Sequence, residues 1–482
     1  LHLLIDDLKI PLEKDGIDEY LKAASQKLNI GGEKIRFVKI LSKKLDIRNQ
    51  NQFYYDITIV VSIPEPFENK THFPEYCENT SSVLNARTVI SDKSKNIACR
   101  PIIVGFGPAG IFAALELVEH GFKPIIFERG KRLEERSSDV QAFIRGRVLN
   151  PESNIQFGEG GAGAYSDGKL FSRAKNSPYI NKVLDTFIKF GAPEEISYAE
   201  KPHLGTDVVC RIVRNMREHL LRQGSSIYYG SKVTEILISG GKVSGVVVNA
   251  DKEYRASCVF LAVGHSARDT FRMIRDKGVA LEQRPISVGV RVEHPTDEIN
   301  LMRYGPKYKN CSAIGAATYS FNHTDRKKNR AVNTFCMCPG GEVVNSSSEN
   351  GMLVLNGMSF SKRESPFSNS ALVVTCRSDD YGSTDPLAGI EFQKDIELKA
   401  FAAGGGKWQV PAQNLTDFLS GKISTNLNAS SCKMGAVSAN IAGIFPEFVA
   451  ETLLEAFDVW KKEFPLFVSK SAIVLAAETR TS

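Results

Sequence analysis

Three glycines, Gly105, Gly107 and Gly110, stand in the segment PIIVGFGPAGIFAALELVEHGFKPIIFERG, after an apolar run and at the mouth of a stretch with helical spacing. Glycine at the first position permits a tight turn, at the second it lets the backbone approach a diphosphate, and at the third it lets the helix lie close on the sheet, as does Ala114. Phe106, Pro108 and Ala109 complete the loop, and the helix start beyond it offers free N–H groups and a positive dipole end to phosphate. Gly121 ends the helix, Pro124 to Phe127 gives a second apolar strand, and Glu128 closes it, followed by Arg129. A carboxylate at that place accepts hydrogen bonds from an adenosine ribose and repels a 2′-phosphate, so the spacing predicts FAD or NAD rather than NADP.

Two later segments favour FAD. FGEGGAGAYSDGKL, Phe157 to Leu170, concentrates glycine where no helix or strand tolerates it, so the backbone must come close to something. Its expected contacts are Gly160, Gly161, Ala162, Gly163, Asp167, Gly168 and Lys169. SCVFLAVGHSA, Ser257 to Ala267, is an apolar strand that ends in a turn at Gly264, the arrangement with which two-domain flavoproteins return to the dinucleotide. Val233, at the head of another strand, completes the expected cofactor contacts.

His265, next to that turn, is a candidate general acid or base. Cys336 and Cys338 form a CxC before Pro339, a candidate redox pair whose plainer reading is a buried turn. No second cysteine pair accompanies it, and no metal site is expected. His203 reads as a loop histidine, and Lys131, Arg132, Arg136, Arg145 and Arg147 read as a solvated helical face, some of them available to FAD phosphates. GxSxG, HExxH and Walker A motifs are absent, as is a second dinucleotide fingerprint.

These groups need a scaffold, and 482 residues allow two or three domains. The composition is 42% hydrophobic and 24% charged, which excludes disordered, collagenous and coiled-coil classes. A net charge of +6 over this length does not mark a nucleic-acid or membrane-surface binder. No apolar run reaches membrane-span length, and nine cysteines without paired spacing fit a reducing cytoplasm. Residues 1–95 read as a small α+β domain of βαββ type, closed by a Pro/Asn/Ser-rich linker from Ser62 to Ser82. Residues 96–283 read as a dinucleotide domain with helices near Tyr179–Phe190 and Asp207–Arg222, 284–400 as an inserted β-rich domain, and 401–482 as a helical return.

Beyond residue 99 the chain resembles the bacterial FAD-dependent dehydrogenases of the glutathione-reductase-like superfamily, through VGFGPAGIFAALEL, NIQFGEGGAGAYSDGKL, FLAVGHSARDTF, ISVGVRVEHP, TFCMCPGGEVV, LNGMSFSKRE and AAETRTS. KKLDIRNQNQFYYDITIVV extends the resemblance to the N-terminal domain. It implies an α/β protein with a Rossmann-like FAD-binding domain of glutathione-reductase type, an inserted antiparallel β-rich domain, and an FAD-dependent oxidoreductase working by hydride transfer at flavin N5. Ala164 stands where that pattern leads one to expect a hydroxylated residue, and a flavin-contacting element is expected after Ser482. The expected partners are a small-molecule substrate and an electron donor or acceptor, without nucleic acid or membrane. The alternative is a flavoprotein of RNA modification that docks through its N-terminal domain.

Overall fold

The computed structural model describes residues 1–65, 73–77, 100–170, 178–326 and 328–480. Most of the segment read as a linker therefore lies outside the described residues, as do Cys99 and Ser482. The described residues form two compact units: one from 1–96, 169–204 and 303–310, the other from 97–168, 205–302 and 311–482.

The first unit carries β1 (His2–Pro11), α1 (Ile17–Leu28), β2 (Arg36–Asp46) and β3 (Tyr54–Ser62). The strands are antiparallel in the order β1-β3-β2. Tyr20, Ala24 and Leu28 recur every four residues on α1 and meet Ile57, Ile59 and Val61, which alternate on β3; together with Leu3, Ile5 and Ile10 they make this unit's core. The unit reaches past residue 95 to take in α4 (Pro178–Lys189), so the glycine-rich segment is divided: Lys169 and Leu170 belong here.

The second unit contains a four-stranded parallel sheet of β4 (Ile102–Val104), β5 (Ile125–Phe127), β6 (Ser226–Tyr228) and, after the antiparallel meander β7 (Val233–Ser239), β8 (Lys242–Val248) and β9 (Lys252–Arg255), β10 (Val259–Leu261). Its order is β10-β4-β5-β6. Helices α2 (Pro108–Glu119), α3 (Leu133–Gly146), α5 (Gly205–Arg222) and α6 (Arg268–Asp276) belong to the same unit. β4 is short and wholly apolar, as a strand buried on both faces must be.

A seven-stranded mixed sheet follows, built from β11 (Ile286–Pro295), β12 (Asn322–Asp325), β13 (Arg330–Cys338), β16 (Phe367–Cys376), β17 (Val410–Asn414), β18 (Ala436–Ser438) and β19 (Ile473–Glu478), in the order β12-β13-β16-β11-β19-β17-β18. The hairpin β14 (Glu342–Asn345) and β15 (Leu355–Met358) forms a two-stranded sheet of its own, packed against β13, β16 and β19. Residues 401–482, expected as a helical return, thus give three strands to the sheet that 284–400 begins. The apolar run Ala472 to Ala477 is too short for a buried helix and pairs as β19 against β11 and β17. Among the described residues no helix is long and apolar enough to cross a membrane.

β11 is central, so its polar residues are buried with its valines. His294 is fully buried, its Nε2 lying 2.7 Å from the Phe467 carbonyl. Burial pushes its pKa down to about 4, against the opposing effects of that carbonyl and of Glu298. An unfolded histidine, with a pKa near 6.5, takes up a proton that the folded one refuses, so this contribution to stability is complete above pH ~6.5 and is lost as pH falls towards 4. Urea unfolding is expected to show up to roughly 3 kcal/mol lost across that window, and His294→Gln, which keeps a donor for Phe467, should flatten it.

Candidate functional site

The second unit holds a cavity of about 690 Å³, within the range of small-molecule sites. The fingerprint forms one wall, with Gly105, Gly107, Pro108 and Ala109 at its surface. Gly105 has φ +99°, and a Cβ there would lie 2.3 Å from the Ala262 carbonyl oxygen of the neighbouring chain segment, so this turn accepts only glycine. Gly107 differs. It caps α2 with φ −82° and ψ −172°, open to any residue, and a Cβ would meet nothing closer than Gly161 Cα at 3.5 Å. The protein has room for a Cβ at this point, where α2 opens onto the cavity. Phe106 and Gly110 lie buried behind the wall rather than on it.

Glu128 faces the cavity, yet its carboxylate is already engaged by the protein. Oε2 accepts from the Phe106 N–H at 2.8 Å, while Oε1 accepts from Gly130 at 2.8 Å and from Gly158 at 3.0 Å. A carboxylate offers about four lone-pair sites, so one remains for a ligand hydroxyl. The counterpart is Arg136, which the sequence reading placed on a solvated face and which is in fact fully buried. Its Nε, Nη2 and Nη1 donate to the carbonyls of Asn154 at 2.8 Å, Ile155 at 2.9 Å and Glu159 at 2.6 Å, with the guanidinium over the Tyr165 ring. Burial lowers its pKa below the ordinary guanidinium value. Glu159 in turn receives the Leu133 N–H at the start of α3 at 2.8 Å and pairs with Arg217 at 2.7 Å.

The other expected contacts divide. Gly161, Ala162, Gly163, Val233 and Gly264 line the cavity. Arg129 lines it too, but its guanidinium is committed to Glu152 and Asp269 and stacks on Phe157, 4.1 Å from the ring centroid. Gly160, Asp167, Gly168 and Lys169 are not on the wall. Asp167 is buried and bound by Arg363 and Ser359, because residues 359–363 return to the end of the glycine-rich loop. Lys169 instead pairs with His203 within the first unit.

His265 lines the cavity beside Gly264. Its Nε2 lies 3.1 Å from the Arg480 carbonyl, which can only accept, so this nitrogen carries the hydrogen and Nδ1 faces Ser266 Oγ at 3.2 Å. Burial lowers its pKa, which favours the neutral ring. Of the CxC pair, Cys336 lines the cavity and Cys338 is buried behind it. Among the described residues no three His, Cys, Asp or Glu side chains gather as metal ligands would.

Sequence reasoning missed Gln156, Ser346, Asn356, Glu478 and Arg480, all on the wall. Glu478 and Arg480 arrive on the end of β19, so residues before Ser482 already reach the cavity. Arg480 is fixed by the buried Glu397, which also holds Arg268 at 2.9 Å and accepts from Thr479 at 2.7 Å. Burial works to raise the Glu397 pKa, but Arg480 and Arg268 outweigh it and bring it to about 2. The signal for these residues lay in ETR, within a stretch whose partners are more than 80 residues away.

Removing the Arg136 guanidinium leaves three buried carbonyls without donors. Arg136→Met should therefore cost about 3 kcal/mol in denaturant unfolding and loosen the 154–159 loop, visible as faster amide exchange there. An unchanged midpoint and exchange rate would assign the order of this loop elsewhere.

Residues 285–481 match the family described as FAD-dependent protein, C-terminal domain-like. An uncharacterized protein of Clostridium beijerinckii is 39% identical over 99% of this chain and 89% of its own length. An FAD-dependent monooxygenase of Hypoxylon pulicicidum is 26% identical over 43% of this chain, which spans 45% of that protein. Among solved structures, THI4 of Thermovibrio ammonificans is 18% identical, with a TM-score of 0.26 over 43% of this chain and 76% of that one. Sharing nearly all of its length with the Clostridium protein and residues 285–481 with the matched domain, the chain belongs to this bacterial family of FAD-dependent proteins, and FAD is its cofactor.

Proposed function

We propose that the chain is an FAD-dependent oxidoreductase whose cofactor lies in the 690 Å³ cavity. The observation that carries this reading is Gly107: neither its backbone angles nor its neighbours require glycine, whereas a pyrophosphate at the N-terminus of α2 does. In this reading the parallel sheet is the Rossmann-like part of a glutathione-reductase-type fold. Gly107, Pro108 and Ala109 would hold the pyrophosphate, Glu128 would give its remaining lone pair to the ribose, and Gly161, Ala162 and Gly163 would admit the cofactor close to the backbone.

FAD supplies hydride transfer at N5 when bound. The chain's own part is to bind, orient and shield. His265, held neutral by burial with its Nε2–H directed to the Arg480 carbonyl, is poised to accept a proton at Nδ1. Leu261, Phe271, Ile274 and Phe335 give the wall an apolar stretch, which favours a small organic substrate over the basic stripe that a nucleic acid needs. Free thiols at Cys77, Cys210, Cys258, Cys311, Cys376 and Cys432 suit a reducing cytoplasm.

The test separates ligand from fold. Gly107→Val should leave the thermal midpoint of the flavin-free protein within a degree or so of wild type, and weaken FAD binding in a fluorescence titration by about tenfold or more. Equal FAD affinity in the two proteins would remove the cofactor from this wall.

A further inference from the structure

We propose that Cys336 and Cys338 are a dithiol in the cavity wall that reduces a small-molecule disulfide. The inference deepens the oxidoreductase reading, and rests on it for the return of electrons.

Between Phe335 and Cys338 three steps along β13 oppose only two along β16, from Ala371 to Asn369, so β13 carries one extra residue. Cys336 accommodates this bulge at φ +45°, a left-handed conformation that residues other than glycine rarely adopt. Strict alternation would send Phe335 and Cys336 to opposite faces, yet both line the cavity. The bulge turns the Cys336 thiol towards ligand space. It also draws Cys338 back beneath it, with Cys338 Sγ 3.3 Å from the Cys336 carbonyl oxygen.

Behind the pair lies Arg291, fully buried on β11 and paired with Glu478 at 2.9 Å. Arg291 Nη1 and Cys338 Sγ lie 2.2 and 2.8 Å from the place a Cβ on Gly357 would occupy, so guanidinium and thiol share the space that this glycine vacates. Arg291 also bonds Asn369 through Nη1, yet its Nη2 and the Asn369 Nδ2 are buried without an acceptor among the described atoms. A buried guanidinium that shares the space of the Cys338 thiol and keeps one nitrogen uncommitted is what a thiolate requires, since positive charge and hydrogen bonds favour its ionised form.

The exchange balances on its own. The Cys336 thiolate attacks one sulfur of R–S–S–R′, and R′S⁻ leaves and takes up the proton that Cys336 released. Cys338, losing its proton, attacks the Cys336 sulfur, closes the Cys336–Cys338 bond and expels RS⁻, which is protonated in turn. The substrate gains two electrons and two protons, and the dithiol loses them. Its return to the dithiol takes two electrons and two protons, which reduced FAD would supply when bound.

The test uses the reduced full-length chain and 5,5′-dithiobis(2-nitrobenzoate). Cys336 should react at least about tenfold faster than the exposed Cys77, the internal reference. The tryptic peptide spanning 331–362 should then be lighter by two hydrogens, without an adduct. Cys338→Ala should stop the sequence at a lasting adduct on Cys336, and Arg291→Lys should slow the first step by about tenfold. Reaction no faster than Cys77, or an adduct that persists on wild-type Cys336, would overturn the proposal. Flavin content is measured on the same samples, so a thiol pair that does not react in a chain that still binds FAD fails alone.

Discussion

The cavity depends on two opposed buried charges that hold its backbone in place. Glu128 gathers three N–H groups, from Phe106, Gly130 and Gly158, while Arg136 gathers three carbonyls, from Asn154, Ile155 and Glu159. Residues 154–161 form no regular ladder of their own, and in a buried loop each unpaired amide would cost 1–3 kcal/mol or so. An anion serving donors and a cation serving acceptors satisfy the same loop from two sides, fixing where it runs past the start of α2. Neither charge has a salt bridge as its principal partner; each is neutralised chiefly by backbone dipoles.

A second device closes the far side. Glu397 sits on the helix Ala388–Ala403 and binds Arg268 at the head of α6 as well as Arg480 beyond β19. One carboxylate therefore joins a helix that follows the His265 turn to the strand end that bounds the cavity. The strong depression of its pKa shows that both guanidiniums outweigh its burial. With β19 pinned between β11 and β17, Glu478 is presented from the sheet itself and Arg480 from the second residue past its end.

Much of the architecture was legible along the chain. The spacing of Tyr20, Ala24 and Leu28, the alternation in β3 and the turn at Gly105 are local properties, each decided by neighbours a few residues away. The reading went wrong where the pattern was local and the outcome was not. Arg136 lies in a charged stretch that reads as a solvated face, yet the glycine-rich loop folds over it. The C-terminal stretch reads as helix and carries one over Glu447–Glu463, yet its last apolar run pairs in a sheet begun near residue 286. Asp167 and Lys169 close a glycine-rich run and look like ligand contacts, but neither is on the cavity wall.

The sequence alone determined a glycine-rich turn between a strand and a helix, since Gly105, the helix start and Glu128 fall within a span of 24 residues, from Gly105 to Glu128, where local backbone sterics act. Only the tertiary structure decided what surrounds that turn. Whether Glu128 faces ligand or amides, whether Arg136 is solvated, and whether Cys336 reaches the cavity all depend on segments brought together from far apart in sequence. Burial creates that dependence: a charge or thiol taken out of water must find its partners wherever the fold supplies them, and sequence spacing does not say where.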